Sequence, residues 1–160
     1  GKPLTVTDPE MTRFMMSLDA AVELVLFAFV NGNPGDIFVH KAPAATIGML
    51  VEAVRSLFGV DNEIRRIGTR HGEKLYETLL TREETARSED MGEFYRVSAD
   101  NRDLNYGKYF HEGSEHVSAG WEYNSHNTRR LDLEETRQLV GSLPEVQEAL
   151  ARYLGTPPDA

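Results

Sequence analysis

Apolar residues recur at helical spacing in several stretches of the 160-residue chain. Residues 17–30 (SLDAAVELVLFAFV) are apolar on nearly every face and begin at Ser17, a good N-cap residue, so they predict a buried helix. Residues 47–58 follow the same spacing between a capping Thr46 and Gly59. They predict a second helix with one apolar face.

Shorter patterns predict the remaining elements. Thr81 with Glu84 and Asp132 with Glu135 are spaced as capping boxes, and Pro144 suits the first turn of a last helix ending near residue 155. Runs rich in β-branched and aromatic residues predict strands at 36–40, 63–67 and 94–97. The mixture indicates an α/β fold, in which we expect Phe14, Met15 and Met16 to belong to the core.

Residues 98–130 contain many Asn, Asp, Gly, Ser and His and only scattered aromatics, so we expect this segment to be irregular. Its aromatic side chains, Tyr106, Tyr109, Phe110, Trp121 and Tyr123, need a surface to lie on. The segment's own domain can supply that surface.

Composition limits the classes of function. The chain carries 17 Lys and Arg against 26 Asp and Glu, a net charge of −9 that disfavours a nucleic-acid partner. It has no cysteine, which excludes disulfides, thiolate catalysis and Cys-ligated zinc and permits a reducing compartment. No stretch approaches the roughly 20 apolar residues of a membrane span, and the opening residues lack signal-peptide order. We expect a cytoplasmic protein without a membrane partner.

Two arginines are candidates for anion binding. Arg13 precedes the first helix and Arg70 follows the second predicted strand; together they would suit a diphosphate, although surface ion pairs are the common alternative. Glu73 can accept hydrogen bonds from sugar hydroxyls or pair with Arg70. Lys41, after the strand at 36–40, can reach a cleft or remain in solvent.

Several signatures are missing from the sequence. The five histidines lack metal-binding spacing, so we predict no metal site. The chain has no GxGxxG, no GxxxxGK[ST] and no Tyr-x-x-x-Lys pair, so we assign no catalytic residue and no cofactor site to it.

Five blocks of sequence nevertheless resemble one family. They are GKPLTVTDPEMTRFMM (1–16), GDIFVHK (35–41), RHGEKLYETLL (70–80), DNRDLNY (100–106) and YNSHNTRRL (123–131). In this order they resemble the C-terminal half of nucleotide-sugar 4,6-dehydratases, and more narrowly the inverting UDP-N-acetylglucosamine 4,6-dehydratase/5-epimerases of capsule and O-antigen synthesis. These belong to the extended short-chain dehydrogenase/reductases, which include the UDP-glucose 4-epimerases.

The resemblance implies a fold, an activity and a cofactor. It implies that residues 1–97 form an α/β UDP-sugar-binding domain and residues 98–160 a C-terminal extension, and that a Rossmann domain holding NAD(P) and the catalytic Tyr and Lys is absent from this chain. In the family, C4 of the sugar is oxidised, water is eliminated across C5 and C6, hydride returns to C6 and C5 is inverted. The isolated chain is expected to be inactive, to expose an apolar surface at residues 18–30 that the missing domain would cover, and to self-associate. The resemblance also implies that the irregular segment 98–130 is an arm that reaches a neighbouring subunit.

The resemblance also assigns residues and partners. Arginines matching Arg13 and Arg70 face the UDP diphosphate in the family, while Thr12, Lys41 and Glu73 are candidate contacts to the nucleotide or sugar by position. The implied partners are a UDP-sugar, the missing Rossmann domain and further copies of the chain in a homo-oligomer. A UDP-sugar 4-epimerase fragment and a non-catalytic oligomerisation module remain as alternatives.

Overall fold

A computed structural model of the chain describes residues 2–99 and 120–155. Its strands are short and pair across long stretches of sequence. They are β1 (Leu4–Val6), β2 (Thr12–Phe14), β3 (Ile37–His40), β4 (Ala44–Thr46), β5 (Ile64–Arg66), β6 (Thr78–Leu80), β7 (Ser88–Asp90), β8 (Phe94–Val97) and β9 (Tyr123–Asn124).

The strands form small sheets. Strand β1 is parallel to β5, with Leu4 opposite Ile64, and β2 is antiparallel to β4, with Arg13 opposite Ala45. Strands β3, β8 and β7 make an antiparallel sheet in that order, and β6 pairs with β9. The α/β class predicted from the sequence is confirmed.

The predicted helices form where their caps indicate. They are α1 (Leu18–Asn31), α2 (Ile47–Phe58), α3 (Arg82–Thr85), α4 (Leu133–Gly141) and α5 (Pro144–Leu154). The Thr46 hydroxyl caps α2, and Gly59 closes it with a φ of 61°. Both predicted capping boxes, at Thr81 and Asp132, are present, and Gly155 ends α5. Helix α2 packs on α4, where a Cβ added at Gly141 would lie 3.0 Å from Leu57 Cδ2.

The expectation that α1 is buried is wrong for this chain, whereas the expectation that its apolar surface is uncovered here is confirmed. Phe27 stacks on Phe94 with ring centroids 4.2 Å apart and meets Phe38 edge-on, so one face of α1 contacts the β3–β8 sheet. None of its residues is buried, because no other described element covers its remaining faces. The exposed apolar side chains are Leu18, Val22, Val25, Leu26, Phe29 and Val30.

Met16, just before α1, is also 47% exposed, so the expectation of a core position is wrong for this residue. Phe14 does pack against the core cluster.

The core cluster joins strands from both ends of the chain. Val39, Leu80, Val97 and Tyr123 are buried together. Tyr123 is only 4% exposed, and Trp121 meets its ring edge-on at 5.7 Å. Residues 120–131 therefore pack on their own domain, and the arm to a neighbouring subunit stays a prediction. Tyr106, Tyr109 and Phe110, predicted to anchor the arm, lie outside the described residues.

Candidate functional site

Strand β2 brings Arg13 against the loop at residues 67–77. The half-buried guanidinium donates from Nη1 to the Thr12 carbonyl oxygen over 2.8 Å and from Nη2 to the Lys74 carbonyl oxygen over 3.0 Å. Its Nε lies 3.8 Å from a Glu77 carboxylate oxygen. Arg13 is thereby fixed at the base of the loop that carries Arg70.

Glu73 shapes this loop around Arg70. Its carboxylate accepts hydrogen bonds from the Arg70 backbone N–H over 3.0 Å and from the Thr7 hydroxyl over 3.2 Å, and its own N–H donates to the Arg70 carbonyl. Gly72, at a φ of 78°, completes the tight turn between them. Glu73 thus pairs with the backbone of Arg70.

The Arg70 guanidinium itself is exposed. Within residues 2–99 and 120–155 it makes no hydrogen bond or ion pair, so all five of its N–H donors are available to an anion. The loop turn holds its backbone while leaving its charge unpaired. A guanidinium held in this way can bind an anion without first breaking an ion pair.

The surroundings of Arg70 are basic in an acidic chain. Residues 65–74 (RRIGTRHGEK) contain four Lys or Arg and one acid, Glu73, whereas the whole chain carries a net charge of −9. A groove of about 330 Å³, lined by Lys74, Leu75, Tyr76 and Thr78, lies beside this segment. Arg65, Arg66 and Lys74 lie within ion-pair distance of carboxylates, so among the described residues Arg70 is the cation of this segment whose charge is left for an anionic ligand.

The structure buries Thr12 completely. Its hydroxyl lies 2.7 Å from the Ser125 hydroxyl and 3.2 Å from His126 Nδ1. Arg130 Nη2 lies 3.1 Å from the same nitrogen, and because an arginine only donates, Nδ1 is an acceptor. Thr12 is therefore adjacent to Arg13 but faces the interior.

Lys41 is engaged in a different place. Its ammonium lies 2.6 Å from Asp90 Oδ1 and 4.3 Å from the centroid of the Tyr95 ring. The ion pair holds the pKa of Asp90 below its ordinary value, with a further contribution from the Gly92 N–H. No described contact joins Lys41 to Arg13 or to the loop at 67–77, so the structure does not bring all five predicted residues together.

Sequence reasoning gave no role to the residues that support this loop from the C-terminal side. Ser125 is fully buried, and His126 packs its ring 4.8 Å from that of Tyr76. Asn124 and Asn127 bond each other's backbone and form the turn that presents Ser125. The two asparagines three positions apart were the available signal, because such residues favour local turns.

The described residues contain no group of three or more His, Asp or Glu side chains placed to hold a metal ion. None of the helices described is long and apolar enough to cross a membrane.

Comparison with known proteins identifies the class to which this fold and loop belong. Residues 1–99 match the family described as polysaccharide biosynthesis protein, and residues 100–147 match the family described as polysaccharide biosynthesis protein C-terminal. The chain belongs to the polysaccharide biosynthesis protein family. The resemblance drawn from its sequence blocks is confirmed at this level.

Individual relatives agree with this assignment. The chain is 56% identical over 150 residues to a UDP-glucose 4-epimerase of Rickettsia canadensis (strain McKiel), covering 94% of this chain and 44% of that protein. The corresponding protein of Rickettsia felis (strain ATCC VR-1525 / URRWXCal2) is 56% identical over 149 residues. The chain thus spans less than half the length of these curated relatives.

A solved structure confirms the fold. The X-ray structure of Pen from Bacillus thuringiensis matches with a TM-score of 0.69 at 28% identity. The match covers 88% of this chain and 41% of Pen. The similarity therefore extends through most of this chain, although it covers less than half of that protein.

Proposed function

We propose that this chain is the nucleotide-sugar-binding part of a longer enzyme that modifies a UDP-sugar for polysaccharide synthesis. Within that class we favour a UDP-N-acetylglucosamine 4,6-dehydratase/5-epimerase of capsule or O-antigen synthesis. The names of the Rickettsia relatives support the alternative of a UDP-glucose 4-epimerase.

One observation carries the proposal. Arg13 is hydrogen-bonded to the loop whose turn displays Arg70, and the Arg70 guanidinium has no partner within residues 2–99 and 120–155. A guanidinium matches phosphate oxygens in two parallel hydrogen bonds and keeps its charge at all physiological pH values. We assign Arg70 as a direct contact to the diphosphate and Arg13 as a second contact from the base of the loop.

The other predicted residues take smaller parts. The Glu73 carboxylate already accepts from the Arg70 N–H and from Thr7, so it supports the turn and retains lone pairs for a sugar hydroxyl. Lys41 would contact the ligand only by leaving Asp90. Thr12 is fully buried, so we assign it an indirect effect on the site through the residues that it contacts.

This class of reaction requires NAD(P), and we assign no NAD(P) site to this chain. The sequence contains neither a glycine fingerprint nor a Tyr-x-x-x-Lys pair. In our proposal the cofactor is bound by the part of the longer protein that this chain does not include. This chain contributes the contacts that fix the nucleotide and thereby hold the sugar in one orientation.

The exposed apolar face of α1 suggests a protein partner that would cover it. We propose that its apolar side chains pack against the remainder of the longer protein, since an apolar surface of this extent is rarely left in water. A homo-oligomer in the cytoplasm completes the proposal; the cysteine-free sequence permits that compartment.

The test uses the full-length protein with UDP-N-acetylglucosamine or UDP-glucose in deuterated water, followed by NMR. A 4,6-dehydratase/5-epimerase converts the C6 hydroxymethyl group to a methyl group and introduces solvent deuterium at C5. A 4-epimerase changes only the configuration at C4 and takes up no deuterium.

Each outcome separates two candidates. Deuterium at C5 with UDP-N-acetylglucosamine supports the dehydratase, and a C4 epimer without deuterium supports the alternative. No turnover together with no binding of UDP would overturn both and favour an oligomerisation module without ligand.

A further inference from the structure

We propose that the buried hydroxyl pair of Thr12 and Ser125 positions Arg13 and the 67–77 loop for the ligand. Thr12 would then be a positioning residue rather than a ligand contact. Ser125 would be a second positioning residue, contributed by the C-terminal segment. The inference rests on the proposed function, because it names what holds the diphosphate-binding groups in place.

The two hydroxyls occupy a junction between distant parts of the chain. Both residues are fully buried, and their oxygens lie 2.7 Å apart although 113 positions separate them in sequence. Ser125 Oγ donates its single proton to the Thr12 carbonyl oxygen over 3.1 Å, so the Thr12 hydroxyl is the donor in the 2.7 Å pair. A buried polar pair of this kind is stable only when its hydrogen bonds are satisfied, so its geometry is tightly fixed.

From this junction, hydrogen bonds hold the C-terminal end of the loop. The Thr12 N–H donates to the Leu75 carbonyl over 2.9 Å, the Ser125 N–H to the Glu77 carbonyl over 2.8 Å, and the Glu77 N–H to Ser125 Oγ over 3.0 Å. The N-terminal end is held separately, where the Ile67 N–H donates to the Val6 carbonyl oxygen over 2.8 Å. Hydrogen bonds therefore fix both ends of the loop, and the turn that displays Arg70 lies between them.

The same junction fixes Arg13. The Thr12 carbonyl oxygen accepts both from Ser125 Oγ and from Arg13 Nη1, so the serine and the guanidinium share one acceptor. Removing the serine hydroxyl leaves the partly buried Glu77 N–H without its partner and frees the Thr12 carbonyl to shift. Both consequences reach the proposed ligand site through Arg13 and the loop.

The experiment measures the affinity of the full-length protein for UDP by calorimetry, with thermal unfolding of each variant in the absence of ligand. We expect Ser125→Ala and Thr12→Val to weaken UDP binding about tenfold. Thr12→Ser retains the hydroxyl and should bind nearly as the parent does. Thr136→Val removes a hydroxyl that is equally buried but bonds only the Asp132 carbonyl in α4, so it should lower the unfolding temperature without changing affinity.

A double mutant separates positioning from general destabilisation. If Ser125 acts partly through the Arg70 loop, Ser125→Ala in an Arg70→Ala background should weaken binding by less than the roughly tenfold expected in the parent, because only the effect through Arg13 remains. Full multiplication of the two effects, or unchanged affinity in Ser125→Ala and Thr12→Val, would overturn the positioning role while leaving the proposed function standing. Failure of the parent protein to bind UDP would instead remove the proposed function itself.

Discussion

Arg96 and Asp36 form an ion pair in which Nε lies 2.7 Å from Oδ2, and the Asp36 side chain is only 4% exposed. The same carboxylate accepts hydrogen bonds from the Asn33 N–H over 2.8 Å and from the Ala99 N–H over 3.3 Å. One acid therefore ties the turn after α1 to strand β8 and to the residues that follow it.

This arrangement predicts acid sensitivity. The Asn33 N–H, with further contributions from Arg96 and Ala99, holds the pKa of Asp36 below its ordinary value of 3.8. A carboxylate with a depressed folded-state pKa stabilises the fold above its unfolded pKa, and this stabilisation is lost as the pH falls through the folded value. Denaturant unfolding should show stability declining below about pH 4, and Asp36→Asn should reduce that decline. A parallel pH profile in the variant would contradict the role given to Asp36.

Gly35, in the turn beside Asp36, should tolerate no side chain. Its φ is 87°, and an added Cβ would lie 2.9 Å from the Cβ of Ala99. Gly35→Ala should therefore lower the free energy of unfolding by more than about 1 kcal/mol. Gly59→Ala provides the control, because Gly59 has a similar φ of 61° with nothing within 4 Å of the added Cβ. An equal loss in both variants would mean that backbone conformation alone, without the Ala99 contact, determines the effect.

The Lys41–Asp90 pair should behave as one unit in stability. Because the ammonium contacts both Asp90 and the Tyr95 ring, Lys41→Met and Asp90→Asn should each destabilise the fold, and the double variant should lose less than the sum of the two. Denaturant titration of the four proteins closes the cycle. Additive losses would show that the two side chains stabilise the fold independently.

The exposed face of α1 predicts association of the isolated 160-residue chain. Leu26 is 59% and Phe29 82% exposed, so we expect binding of a hydrophobic dye and self-association in sedimentation. Leu26→Glu with Phe29→Glu should reduce both. A monomer that binds no dye would contradict the proposal that this face is covered in the longer protein.

Local signals predicted the helices well. Thr46 with Gly59 and Asp132 with Glu135 mark helix ends through hydrogen bonds within a few residues, and the structure contains these caps. The strands β1, β2 and β4 were not predicted, because each has three residues and is defined by a partner distant in sequence. The burial of α1 within this chain was predicted wrongly for a similar reason. An apolar sequence shows that a helix has an apolar surface, but neighbouring elements distant in sequence decide whether that surface is buried.

The candidate site was predictable in its residues and less so in its connections. Arg13 and Arg70 followed from the chemistry of guanidinium groups and from family motifs. The carbonyl of Lys74 as a partner of Arg13, and Ser125 as a support of the loop, arise from tertiary contacts across 61 and 113 residues. No local pattern encodes such contacts.

The central claim is that Arg70 binds a nucleotide diphosphate beside Arg13, and the most direct test is the UDP affinity of the full-length protein and two arginine variants by calorimetry. Arg70→Ala should weaken binding about tenfold or more. Arg65→Ala, which removes a nearby exposed arginine already 3.4 Å from Glu63, should change it by less than about twofold. Equal affinity of Arg70→Ala and the parent, or equal losses in the two variants, would contradict the account.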